Sequence, residues 1–268
     1  MLARAVLLLA AACSLAEAQE DPREIVRRAV QQMQQDLIAT RHYDFLQRSE
    51  TCELDSAGHE KSHKILLYEV TMLEGSPYRR LVGRDDRPVS DEEAHQEQAK
   101  LEDAAAQRKK ETPAERQRRI ADWEARRQRD REPIAELPEA FDFKMAGHAL
   151  IAGRDAWVIE ATPRPEFHGR TRISKLFPKF RGKLWVDRAS YQWLKTEAEV
   201  TDNVWWGFFV ARLNKGARLS LEITQVDGGE WLPRHFKIDA SARVALVKSI
   251  HIQLDTTYSN YRKLSAPR

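Results

Sequence analysis

Cysteine is nearly absent from this 268-residue chain: there are two, at Cys13 and Cys52. Cys13 lies in an N-terminal stretch with the marks of a leader. Met-Leu-Ala-Arg gives a cationic start, the apolar run that follows is too short to span a bilayer, and Ala16-Glu17-Ala18 spells a cleavage site before Gln19. Residues 1–18 are therefore read as a signal peptide of an exported, periplasmic protein. Acylation at Cys13 is the alternative. Cys52 then has no partner for an internal disulfide, and no motif around it suggests a nucleophile.

Long hydrophobic runs are also missing. After the leader nothing approaches the roughly 18 uncharged residues that a membrane helix needs. Charge of one sign is not in excess either: the net charge is +3, which calls for no nucleic acid. The chain has no G-x-S-x-G elbow, no glycine-rich phosphate loop and no C-x-x-C pair. No catalytic residue, cofactor or metal site is nominated, and the expectation is a protein that is not an enzyme.

One motif runs against that expectation. His59-Glu60-Lys61-Ser62-His63 spells the H-E-x-x-H signature of zinc hydrolases. Zinc chemistry needs both histidines on one helical face, with the glutamate activating water. Here Asp55-Ser56-Ala57-Gly58 is turn chemistry, and a strand-like run, Ile65 to Met72, follows at once. A hairpin loop is the expected setting, which leaves the zinc hydrolase as a remote alternative.

What is present is an ordered set of elements. Asp21-Pro22-Arg23-Glu24 combines an acidic N-cap, a proline at N1 and a glutamate at N3. Ile25, Ala29, Met33 and Leu37 follow at helical spacing, so 22–38 is predicted to be an amphipathic helix. Strands are predicted around Tyr68, Trp157, Trp185 and Trp193, and then in the alternating segment Arg218 to Val226. Asp227-Gly228-Gly229-Glu230 is a hairpin turn leading into Trp231–Ala240 and Val244–Thr257. Short turns between consecutive strands predict a curved antiparallel meander. Residues 19–268 are read as a single domain.

The composition shifts at 85–140. Ser90-Asp91-Glu92-Glu93 and Thr112-Pro113-Ala114-Glu115 each cap a highly charged helix, over 91–110 and 113–131. This insertion is read as a solvated helical arm, with docking of an envelope protein partner at 91–131 as the functional alternative. Two further stretches stand out. Val204-Trp205-Trp206-Gly207-Phe208-Phe209-Val210-Ala211 is apolar without alternation, suited to a buried element, to the wall of a ligand cavity or to a membrane-touching loop. Arg164 to Lys183 interleaves aromatics with Arg170, Arg172, Lys175, Lys179 and Arg181, a pattern that suits anionic headgroups as well as a plain hairpin connection.

Gly153-Arg154-Asp155-Ala156-Trp157-Val158-Ile159-Glu160-Ala161-Thr162-Pro163, Gly182-Lys183-Leu184-Trp185-Val186-Asp187 and Trp231-Leu232-Pro233, with the leader and capped helix, resemble the periplasmic lipoprotein-sorting (Lol-type) carriers. The resemblance implies an α+β fold, a half-open antiparallel barrel with a helical lid, whose concave apolar face binds a lipid or acylated ligand without catalysis. Expected cavity-lining residues are Tyr68, Trp157, Trp185, Trp193, Trp205, Trp206, Phe208, Phe209 and Phe236. A packed scaffold that docks a protein partner is the competing expectation. The charged arm departs from the carriers.

Overall fold

The structure is a computed structural model that describes residues 20–55, 57–206, 211–227, 229–244 and 248–264. Helix α1 (Pro22–Ala39) opens it, capped by the Asp21 carboxylate, which accepts from the Arg23 amide. Strands β1 (Tyr43–Leu54), β2 (Glu60–Leu73), β3 (Ser76–Arg84) and the short β4 (Arg87–Pro88) follow. Helices α2 (Asp91–Lys110), α3 (Pro113–Ala135) and α4 (Leu137–Ala140) form the insertion. The chain then builds β5 (Phe141–Ile151), β6 (Arg154–Pro163), β7 (Phe180–Asp187), β8 (Trp193–Val200), β9 (Val204–Trp206), β10 (Ala211–Leu213), β11 (Arg218–Gln225), β12 (Trp231–Val244) and β13 (Lys248–Lys263).

These strands make one open, curved antiparallel sheet in the order β4-β3-β2-β1-β13-β12-β11-β8-β7-β6-β5, with β9 and β10 attached beside the end of β12. The meander is thus two runs of consecutive strands joined where the first long strand, β1, meets the last, β13. The sheet's two ends, β4 and β5, are neighbours in the chain, so the insertion connects one free margin to the other.

Alternation decides the two faces, because residues directly opposed across a ladder share a side. The row Ile159, Leu184 and Val186 packs against Ile25, Val26, Ala29, Val30 and Met33 of α1. Ile25, Val26, Ala29 and Ile159 are fully buried. Here the helix period and the strand period meet in the main buried cluster of the described residues, where each fully buried aliphatic side chain contributes roughly 1.5–3 kcal/mol.

The insertion is not a free arm. Arg108 donates to the carbonyls of Leu73 and Ser76 at 2.7 and 2.9 Å. Arg119 reaches the Ser76 hydroxyl and the Glu74 carbonyl at 2.6 and 2.9 Å. The Glu97 carboxylate accepts the Leu81 amide on the outer side of β3, and Arg127 of α3 donates to the Leu37 carbonyl of α1. Helix α2 therefore covers a sheet margin that would otherwise offer unpaired amides to another chain. Helix α3 runs four residues past the predicted 131, with Pro133 near its end.

Candidate functional site

The sheet's α1 side divides into a covered and an uncovered part. Trp157 and Trp193 are 8% and 3% exposed and belong to the core under α1. Trp157 also packs against Tyr191, and the Trp193 indole donates to the Thr196 hydroxyl. These two expected cavity residues are filled in by the protein's own side chains. Farther along the same side, Leu66, Tyr68, Phe236, Ile238, Ile252 and Leu254 remain only partly buried. Register sets them on one face: Ile238 opposes Leu254, and Leu66 lies across Ser49 and Thr256 from Phe236, with Gln47 and Ser49 of β1 between the β2 residues and those of β12 and β13. Tyr68 is capped by the Arg79 guanidinium, 4.2 Å from its ring centre.

The opposite face carries a groove of about 1050 Å³, lined by β1, β13, β12, β11, β8, β7 and β6. Charged and polar side chains predominate in its lining, with Ala161, Ala198, Leu219, Ile238 and Leu254 of the alternate rows also along it, and none of the expected cavity residues that are described lines it. Trp185 lies on this same side, half-buried, with the Lys195 ammonium 5.0 Å over its ring. Cross-strand ion pairs tile the groove: Arg181–Glu199 at 2.9 Å, Lys183–Glu160 at 3.2 Å and Lys237–Asp255 at 2.8 Å. Hydrogen bonds to Arg48 and His63 hold the Glu50 carboxyl below its usual range. Burial raises the affinity of Asp255 for its proton, but Lys237 and His235 outweigh it and leave that carboxyl depressed as well. Lys237 is raised in turn by Asp255. The Cys52 thiol is pushed up by desolvation and by Glu60 and Glu50, the reverse of what a reactive thiolate needs. The lining is largely a lattice of paired charges.

The H-E-x-x-H letters fall on the β1–β2 hairpin. His59 sits in the turn 3.5 Å from Asp55, and His63 is on β2 with its ring 2.8 Å from Glu50 of β1. The two imidazoles thus serve separate carboxylates. Among the described residues no three His, Cys, Asp or Glu side chains are arranged to hold a metal.

The basic stretch beginning at Arg164 contains a 3-10 turn, Ser174–Lys179. Arg170, Arg172 and Lys175 are exposed. Lys179 is engaged by Asp202 and the Asn203 carbonyl at 3.1 and 2.7 Å, and Arg181 already belongs to β7. The candidates are therefore split between a loop and the charged groove. In the apolar stretch β9 and β10 pair as a short hairpin whose Trp205 is 42% exposed. Phe208, Phe209 and the Trp206 side chain lie outside the described residues.

The groove's charged rows escape a reading of the sequence because alternating charge on a strand is also what a solvated face looks like. Their only signal was the persistence of the alternation on β7, β8, β11, β12 and β13. Curvature, which gathers those rows into one groove, has no letter of its own.

No protein-family model matches this chain, and no curated protein matches it. Similar solved structures include an outer membrane lipoprotein-sorting domain from Vibrio parahaemolyticus, at 12% identity over 91% of this chain and 95% of that one, with a TM-score of 0.34. A LolA superfamily protein from Nitrosomonas europaea is similar at 12% identity over 93% and 96%, also at a TM-score of 0.34. The Pseudomonas aeruginosa MucA/MucB complex is similar at 12% identity over 92% and 100%, at 0.25. All three scores are below 0.5, so the architecture rests on this chain's own strand order and helix placement. It is an α+β protein with an open antiparallel half-barrel, and the solved structures similar to it include LolA-superfamily and lipoprotein-sorting domains.

Proposed function

We propose that the protein is a noncatalytic, exported envelope protein that holds a lipid or acylated ligand against the apolar side of its open sheet. The single observation behind this reading is the row of partly buried apolar side chains beyond α1: Leu66, Tyr68, Phe236, Ile238, Ile252 and Leu254. An acyl chain laid along them would leave water at about 0.8 kcal/mol per buried CH₂. Tyr68 and Phe236 are the two expected cavity residues that this row contains. Export rests on the leader at 1–18, which lies outside the described residues. No helix among the described residues is long and apolar enough to cross a membrane.

The test is organic extraction of the natively purified protein followed by mass spectrometry, with displacement of a fluorescent fatty acid as a second readout. Co-purified lipid is expected, together with loss of probe binding in an Ile238→Glu, Leu254→Glu variant of unchanged far-UV circular dichroism. A protein that yields no lipid and binds no probe overturns the reading.

A protein partner is the second reading, favoured by the charged groove rather than by the arm, whose inner face is engaged with β3 and α1. In that case Lys237→Glu abolishes a pull-down while the fatty-acid probe still binds.

A further inference from the structure

The end of β12 carries an arrangement that the ion-pair lattice of the groove does not extend to. Trp205, Arg212 and Arg243 stand directly opposite one another across β9, β10 and β12, and so share one face. The Arg212 guanidinium lies 5.5 Å over the Trp205 ring and donates to Asn214 at 3.2 Å. Arg243 is exposed, and among the described residues neither arginine has an acidic partner. Two like charges directly opposed on a ladder repel each other, whereas the pairs at Arg181–Glu199 and Lys237–Asp255 alternate in sign.

The other face of the same hairpin packs on the basic loop. Val204 packs in a cluster with Leu176, Leu213 and Ala240, which fixes the 3-10 turn beside β9 and β10. Ile173, at the start of that turn, is 43% exposed, close to the 42% of Trp205. Arg172 and Lys175 flank it, both exposed. The nearby acid Asp202 is taken by Lys179. An exposed indole and two arginines without an acidic partner among the described residues therefore share one face of the hairpin, while the exposed Ile173 and its flanking cations lie on the side of the other.

We propose that this corner docks the protein on an anionic bilayer surface, with Arg212 and Arg243 on lipid phosphates and Trp205 at the headgroup boundary. Tryptophan favours that boundary because its ring is apolar and its N–H is polar, and each cation near the surface adds attraction to anionic lipid. The site is separate from the apolar row of the carrier reading and does not depend on it.

Flotation of the full-length protein with vesicles tests the proposal. Binding is expected to phosphatidylcholine vesicles containing phosphatidylglycerol, little to phosphatidylcholine alone, with release as salt is raised. Arg212→Gln together with Arg243→Gln is expected to weaken binding roughly tenfold or more, and Trp205→Ala to weaken it without altering its salt dependence. Should the double arginine variant fail to fold, the single Arg243→Gln variant and the salt titration of the unchanged protein decide. No binding to the anionic vesicles, equal binding to both compositions, or undiminished binding by a folded arginine variant overturns the proposal. A protein that takes up the fatty-acid probe yet does not float overturns the docking corner alone and leaves the carrier reading standing.

Discussion

Tyr43, at the start of β1, is 1% exposed, and its hydroxyl donates to Glu230 at 2.5 Å and to the Asp227 carbonyl at 3.3 Å. Burial and the Glu230 carboxylate push the phenol well above its ordinary range. Lys263, at 2.6 Å, and the Tyr43 hydroxyl hold the Glu230 carboxyl down at about 2. The triad joins one end of the β1–β13 pair to the β11–β12 turn. Tyr43→Phe keeps the ring and loses one charge-assisted hydrogen bond, so urea denaturation should show a loss of about 1.5–3 kcal/mol. The Glu230 carboxyl, followed by NMR, should move up toward its ordinary value.

The buried Asp187 is read in the same way. Burial raises it, but a bidentate contact with Arg154 at 3.0 and 2.9 Å and two hydrogen bonds from Ser190 leave it depressed.

Among the elements, the insertion gives the clearest prediction. Gly75, in the β2–β3 turn, has φ 86°, and a Cβ there would meet Ile120 of α3 at 2.6 Å. Left-handed backbone and a close neighbour coincide, so Gly75→Ala should cost at least about 1–2 kcal/mol by thermal or urea melting. Replacing 91–131 by a short linker should do more. It bares the β3 margin and removes the α3 contacts with α1, and the expected result is concentration-dependent aggregation by light scattering. A deletion variant that stays monomeric with an unchanged melt would show that the arm is dispensable to the fold.

For the whole molecule, pH acts through many carboxylates at once. Glu50, Glu69, Asp187, Glu230 and Asp255 all have folded values depressed below their ordinary ones. A depressed carboxyl binds fewer protons folded than unfolded, so its stabilisation is present above the unfolded value near 4. It is lost as pH falls through the folded value. The midpoint of unfolding should stay level from neutral pH to about 5 and drop steeply below 4. High salt should blunt the contribution of the exposed pairs. A flat profile down to pH 3 would contradict the assigned shifts.

The letters alone were enough for α1, whose Asp-Pro-Arg-Glu start and apolar spacing specify a helix with one buried stripe. They also sufficed for the two capped helices of the insertion and for the strands between turn signals, because caps, periods of 3.6 and 2, and glycine turns act over a few residues. The hairpin setting of His59 and His63 was legible for the same reason. Tertiary structure decided what those elements meet. Trp157 and Trp193 look like Phe236 in the sequence, yet α1 covers the first two and leaves the third half-open. The arm's arginines read as solvated until Arg108 and Arg119 reached carbonyls of the β2–β3 turn. Arg212 and Arg243 are thirty-one positions apart, and only strand register brings them opposite. Local preference is written residue by residue, whereas register, curvature and cover arise from contacts between segments distant in the chain.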